Sequence, residues 1–375
     1  TWRTPVRRAC RARHRTPVAG TAMTAVAGET LVDHAWIDNG LGLLSCVGGN
    51  RHSSDTAVVC PYYLRSDIAA ALAPRLARTT GTAHGTVPWR GERYVKITQL
   101  CPPSRWASLL AALPTDHGLR PMAWSLFTGL DTARWVSVLD PRDAVRTALR
   151  GDNPIAALLA GMCSALGDPG NEAGTLGLTG SVALNPGRLD GPRIDASGDI
   201  DVMVYPSAER DALAAALTQA GGKFPADLPD GDPGRVAYQQ SRLMPPTTDE
   251  FSRAVFWRRR RDLAWIGSLR LDLTLSDPGG TVAPSVVFAR PPAGPWSAVV
   301  TVASVYDRYP VTLRVEHPRL THVWITARGY QTTLRPGDRL ALRGLLHHPP
   351  DGPAFASVDD AAGHQLILLR PGGQS

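Results

Sequence analysis

The segment DIDVMVY sets two carboxylates, Asp199 and Asp201, one residue apart at the head of an apolar run that otherwise reads as a buried strand. A carboxylate in such a strand is costly unless it is paired or holds a cation. Residues i and i+2 of a strand share a face, so the spacing predicts that Asp199 and Asp201 project together while Ile200 and Val202 face a core. Two adjacent carboxylates repel unless a cation lies between them. That arrangement suits Mg²⁺, a hard ion that takes oxygen ligands. A two-metal site needs a third acid, and SLRLDLTL offers Asp272, flanked by leucines in a second expected strand. Upstream, Gly180-Ser181 closes the strand TLGL. A glycine at a strand-to-helix turn lets backbone N–H groups approach phosphate oxygens, with the serine hydroxyl beside them.

The chain of 375 residues exceeds one ordinary core, so two or three domains are expected. With 43% hydrophobic and 19% charged residues it is globular. Of the net charge of +7, six units come from Arg3, Arg7, Arg8, Arg11, Arg13 and Arg15, leaving +1 for the rest. The body is therefore nearly neutral, which argues against long nucleic acid as the main partner. Only Lys96 and Lys223 among the 40 basic residues are lysine. Five dispersed cysteines (Cys10, Cys46, Cys60, Cys101, Cys163) lack CxxC spacing and argue against zinc or a disulfide framework, and for a reducing cytoplasm. The longest helical apolar run, IAALLAGMCSAL, is too short for a bilayer, so no membrane partner is expected.

Four segments are expected. Residues 1–28 form a basic tail, disordered or from an over-extended gene start. Residues 29–140 form a β-rich domain with helices, in which Asp38-Asn39-Gly40 marks a hairpin turn. Residues 141–290 alternate strand and helix and predict an α/β (α+β) catalytic core with a mixed sheet. Beyond a Pro-rich linker, residues 291–375 contain AVVTVASVYD, VTLRVE, HVWITARGY, DRLALRGLL and HQLILLR, about five short strands that fit a small OB-like β-barrel.

The order Gly-Ser, then Asp-x-Asp in an apolar strand, then an isolated Asp in a later strand resembles the polymerase-β-type nucleotidyltransferase superfamily. The segments WIDNGLGLLSCVGG, WRGERYVKI and VYDRYPVTLRVE…RPGDRLALRG are similar to a little-studied family of predicted nucleotidyltransferases best known from archaea. There the catalytic domain lies between two β-rich segments. The resemblance implies transfer of a nucleoside monophosphate from an NTP to an acceptor hydroxyl, with two Mg²⁺ ions for which Mn²⁺ can substitute. It implies that Gly180 and Ser181 contact phosphates, that Asp199 and Asp201 bind both metals, and that Asp272 joins the catalytic metal and helps deprotonate the acceptor. The spacing from Ser181 to Asp199 exceeds the family's pattern, and the excess, NPGRLDGPRIDAS, marks a loop able to cover the site.

Other features have two readings. Arg258 begins a four-arginine run that either binds the triphosphate or forms a solvated helix face. Arg270 shares a strand face with Asp272 and either pairs with it or touches a phosphate. Arg93 and Lys96 in GERYVKI read as phosphate contacts or as a polar strand face. Tyr306, Tyr309, Trp324 and Tyr330 read as base-stacking platforms or as packing. The acceptor classes left open are a small molecule, a tRNA end and a protein side chain. The alternative to an enzyme is a non-catalytic nucleotide sensor, or an RNA/DNA-binding protein using the barrel.

Overall fold

The computed structural model describes residues 31–373 except 51, 53–54, 73–85, 98–105, 122–127, 153, 185–198, 207–209, 230–231, 233–246, 248, 268, 278–291, 308–309, 349–352 and 360–362. The basic tail, the long loop after Ser181, Cys10, Cys101, Tyr309 and the first three residues of the Pro-rich linker ARPPAGPW lie outside the described residues, whereas the last three residues of that linker, Gly294, Pro295 and Trp296, begin a strand. What is described is a strand-rich α+β protein with three sheets. Among the described residues no helix is long and apolar enough to cross a membrane.

The first sheet begins with the expected hairpin. Strands β1 (Trp36–Asp38) and β2 (Leu43–Val47) pair with Trp36 opposite Cys46 and Asp38 opposite Leu44. Asn39 holds the turn, its side-chain oxygen accepting from the N–H groups of Leu41 and Leu43. Strand β3 (Thr56–Arg65) continues the sheet to β5 (Glu92–Lys96), and β4 (Thr86–Trp89) forms the edge. Between β2 and β3 the register slips: Leu44 faces Tyr63, but Ser45 faces Pro61. Tyr62 is the extra residue of this bulge.

The central sheet comprises β9 (Leu176–Thr179), β10 (Asp199–Val204), β11 (Leu263–Ile266) and β12 (Leu269–Leu275), in the order β11-β12-β10-β9. Only β10 and β12 run parallel. Helices α3 (Pro141–Ala148), α4 (Pro154–Ala165) and α6 (Arg210–Gln219) cover one face. Asp140 caps α3 by accepting from the Arg142 N–H at 2.8 Å, and Pro141 takes the first helical position. Ile200, Val202, Val204, Leu271, Leu273 and Leu275 all enter this core, so period-2 alternation turns the intervening residues to the opposite face.

The C-terminal strands form a closed five-stranded barrel. Strands β13 (Gly294–Tyr306), β14 (Val311–Glu316), β15 (His322–Ile325), β17 (Phe355–Val358) and β16 (Arg339–His347) follow one another, and β16 returns to β13. Closure rests on the length of β13: its first half pairs with β16 and its second with β14, with a bulge between Val302 and Ser304 at the changeover. The sequence expectation of about five strands included HQLILLR as one of them. That segment, β18 (Gln365–Arg370), instead pairs with β16 outside the ring, and the closing member is Phe355–Val358. Ala356 and Ser357 are weak strand formers, so this four-residue strand is set by its two neighbours and not by propensity.

The three parts are joined by buried polar contacts. Tyr205 Oη donates to the Asp33 carbonyl (2.8 Å) and Thr179 Oγ1 to the His34 carbonyl (3.1 Å), tying the first sheet to the central one. The Gln331 side chain pairs with both backbone groups of Leu275, at 3.2 and 2.9 Å, tying the barrel to β12.

Candidate metal centre

On the face of the central sheet turned away from these helices, parallel pairing places Asp201 directly opposite Asp272 and Asp199 directly opposite Arg270. One carboxylate oxygen from each of Asp199, Asp201 and Asp272 lies within 4.8 Å of the other two, a group able to hold a metal ion. All three are half-buried. The expected triad is thus brought together, by the registry of strands separated by more than sixty residues of chain.

The electrostatics follow from this crowding. Two like charges about 4 Å apart repel by roughly 4 kcal/mol at an effective dielectric of about 20. Arg270 offsets part of it: Nε donates to Asp272 Oδ1 at 3.0 Å, and Nη2 reaches both Asp272 Oδ2 at 3.2 Å and Asp199 Oδ2. Of the two readings for Arg270, the structure shows pairing with the carboxylates. Three carboxylates against one guanidinium still leave an excess of negative charge. Burial, then the nearby Asp201, pushes the Asp272 carboxyl up to about 7, against which Arg270 pulls it down. The donor set consists of carboxylate oxygens, without sulfur or imidazole, which fits a hard divalent cation.

Gly180 opens helix α5 (Gly180–Leu184) with φ +68°, and Ser181 follows it, half-buried. A β-carbon on Gly180 would lie 2.0 Å from Asp201 Oδ2. The glycine is needed here for the approach of a carboxylate, a reason for its presence that the sequence reading did not include.

The arginine run divides. Arg258 projects from the exposed side of helix α7 (Glu250–Arg259) and forms no ion pair among the described residues. Arg259 is buried against Asp338 and Arg260 against Asp262, while Arg261 lies over the Phe224 ring. Two of the four are thus internal ion pairs, and Phe256 of the same helix enters the barrel core. Arg258 is not among the residues gathered around the carboxylates. Trp324 and Tyr330 are buried in the barrel, and Tyr306 Oη donates to Asp277 at 3.2 Å, so these aromatics act in packing and support.

The first sheet approaches the same centre. Leu184 of α5 packs with Trp36, Tyr63, Val87 and Tyr94. Tyr63 is held un-ionised by burial first, then by Tyr62, Asp201 and Asp199. Lys96 is kept charged against its burial by Tyr62, Asp201 and Asp199. GERYVKI, read from sequence as more simply a polar strand face, therefore puts its lysine within the field of the aspartates. The available signal was the rarity of lysine in this arginine-rich chain. No family model, curated protein or solved structure matches the chain.

Proposed function

We propose that the protein is a magnesium-dependent nucleotidyltransferase of the polymerase-β type, moving a nucleoside monophosphate from an NTP to an acceptor hydroxyl and releasing pyrophosphate. The observation that carries this reading is the convergence of Asp199, Asp201 and Asp272 on one sheet face, with their oxygens within 4.8 Å. Gly180 and Ser181 open the helix beside them, in the order of the resemblance given above. These three carboxylates would hold Mg²⁺, or Mn²⁺ in its place. When bound, the metal supplies neutralisation of charge on the attacking and leaving oxygens.

In this reaction the acceptor oxygen forms a bond to the α-phosphorus as the bond to the pyrophosphate oxygen breaks, and pyrophosphate leaves with the electron pair. Asp272 takes the acceptor proton. Arg270, tethered to Asp199 and Asp272, orients both carboxylates and is close enough to meet a phosphate oxygen once they engage a cation. Ser181 keeps the phosphate-contacting role implied by the resemblance. The barrel's strand order (first, second, third, fifth, fourth, and back to the first) supports reading it as OB-like. A nucleic-acid role for it draws no support from Trp324 and Tyr330, which are buried. The acceptor classes remain a small molecule, a tRNA end or a protein side chain.

The test is release of pyrophosphate from each labelled NTP with Mg²⁺ and a panel of metabolites, pooled tRNA and proteins. Asp201→Asn is expected to reduce turnover roughly 1000-fold, about 4 kcal/mol at 1.36 kcal/mol per decade. Turnover untouched by Asp201→Asn, or none across the panel, would overturn the proposal.

A further inference from the structure

Lys96 ends β5 directly opposite Tyr63 on β3. The bulge in β3 turns Tyr62 to the same side as Tyr63, which is unusual for adjacent strand residues. Both rings pack on Trp36, at centroid distances of 5.5 and 5.6 Å, and they lie 5.2 Å from each other. Lys96 Nζ sits 4.8 Å from the Tyr62 centroid, so the aromatic ring faces and orients the ammonium. This aromatic wall shares a cluster with Leu184. Leu184 ends the short helix whose first residue, Gly180, lies against the Asp201 carboxylate. The wall and the carboxylate face are therefore neighbours, joined through this helix.

Lys96 is attracted by Asp199 and Asp201 yet forms no ion pair among the described residues. A cation drawn toward carboxylates but held short of them leaves room for something between. With a divalent cation on the aspartates, a group that touches both it and the ammonium meets two positive charges, which favours an anion. A chain of linked phosphates meets both requirements. Lysine suits this position because its charge is compact, with three donors on a flexible stem, whereas a guanidinium presents a planar fork.

We propose that Lys96, oriented by Tyr62, binds the polyphosphate of the nucleotide, so that the substrate site is built from both the first and the central sheet. This rests on the nucleotidyl-transfer reading, and it makes the N-terminal sheet part of the substrate site.

The experiment uses the intact protein and calorimetry with Mn²⁺ alone, then with pyrophosphate or a non-hydrolysable ATP analogue at saturating Mn²⁺. Lys96→Met is expected to weaken pyrophosphate and analogue binding by about 10- to 100-fold, the loss of one charge-assisted hydrogen bond. Its affinity for Mn²⁺ alone should stay close to wild type. Lys96→Arg, which keeps the charge, should recover part of the loss, and Tyr62→Phe should keep the ring and most of the binding. Thermal midpoints establish that each variant is folded. Wild-type binding of both anions with Lys96→Met unchanged overturns this proposal alone. Equal loss of Mn²⁺ and anion binding in folded Lys96→Met also overturns it, by making the role structural. Wild-type protein that binds Mn²⁺ but neither anion overturns both this proposal and the nucleotidyl-transfer reading.

Discussion

Gly180 and Asp201 are in such close contact that a β-carbon on the first would meet the carboxylate oxygen of the second at 2.0 Å. Because Gly180 also holds φ +68°, a side chain there meets two separate penalties. The left-handed conformation costs roughly 1–2 kcal/mol for an L-residue, and the Asp201 carboxylate must move. Gly180→Ala is expected to lose at least an order of magnitude in Mn²⁺ affinity. Gly221→Ala is the control, since Gly221 has φ +79° but open space around it: it should lose stability alone. Equal Mn²⁺ affinity in the two variants by calorimetry would show that the contact with Asp201 is unimportant.

Removing the guanidinium that pairs with Asp199 and Asp272 should separate folding from metal binding. Arg270→Ala is expected to lower the stability of the metal-free protein by about 1–3 kcal/mol, as charged groups lose their partner. It should also enlarge the rise in thermal midpoint on adding Mn²⁺, because the cation no longer competes with an arginine for Asp199 and Asp272. A smaller rise than wild type would mean that Arg270 assists the metal and does not compete with it.

The α7–barrel junction should depend on one buried ion pair. Arg259 Nη1 donates to Asp338 Oδ2 at 2.7 Å and to the Thr333 carbonyl at 3.2 Å, with Asp338 fully buried. Arg259→Met leaves that carboxylate without its cation, and losing one partner of a buried pair costs about 3–5 kcal/mol. Arg258→Ala, on the exposed side of the same helix, should lie within about 0.5 kcal/mol of wild type. Urea denaturation of the two variants checks this, and similar midpoints would refute the division of the run into buried and solvated members.

Acid should weaken the barrel through His347. Its Nε2 lies 2.8 Å from Ser357 Oγ and its ring stacks on Phe355 at 4.6 Å. Burial, the largest influence, lowers its pKa from 6.5 to about 4. Between these values the unfolded chain binds a proton that the folded protein refuses. The stability from a neutral His347 is therefore fully present above pH 6.5 and is lost as pH falls toward 4. His347→Gln should show a shallower fall in denaturation midpoint over that window. An identical slope in both proteins would assign the acid sensitivity to other groups.

Sequence periodicity made the carboxylates legible. Asp199, Asp201 and Asp272 interrupt apolar alternation at positions where the neighbours must enter a core, and Ile200, Val202, Leu271 and Leu273 do enter it. The hairpin at Asp38-Asn39-Gly40 was readable for a similar reason, since turn chemistry acts over a few residues. The closing barrel strand Phe355–Val358 was not, because Ala and Ser carry little strand preference and its pairing comes from β15 and β16. The arginine run misled in part: four consecutive charges look solvated, and only the packed helix reveals which two meet buried aspartates.

The sequence by itself determined which residues leave the core face of each strand, because that alternation is local and has a period of two. Only the tertiary structure decided that Asp201 stands opposite Asp272, that Arg270 bridges Asp199 and Asp272, that Gly180 makes room for a carboxylate, and that Lys96 lies within the field of Asp199 and Asp201. These are contacts between segments far apart in the chain. They depend on strand register, on a bulge and on the docking of one sheet against another, none of which a local pattern encodes.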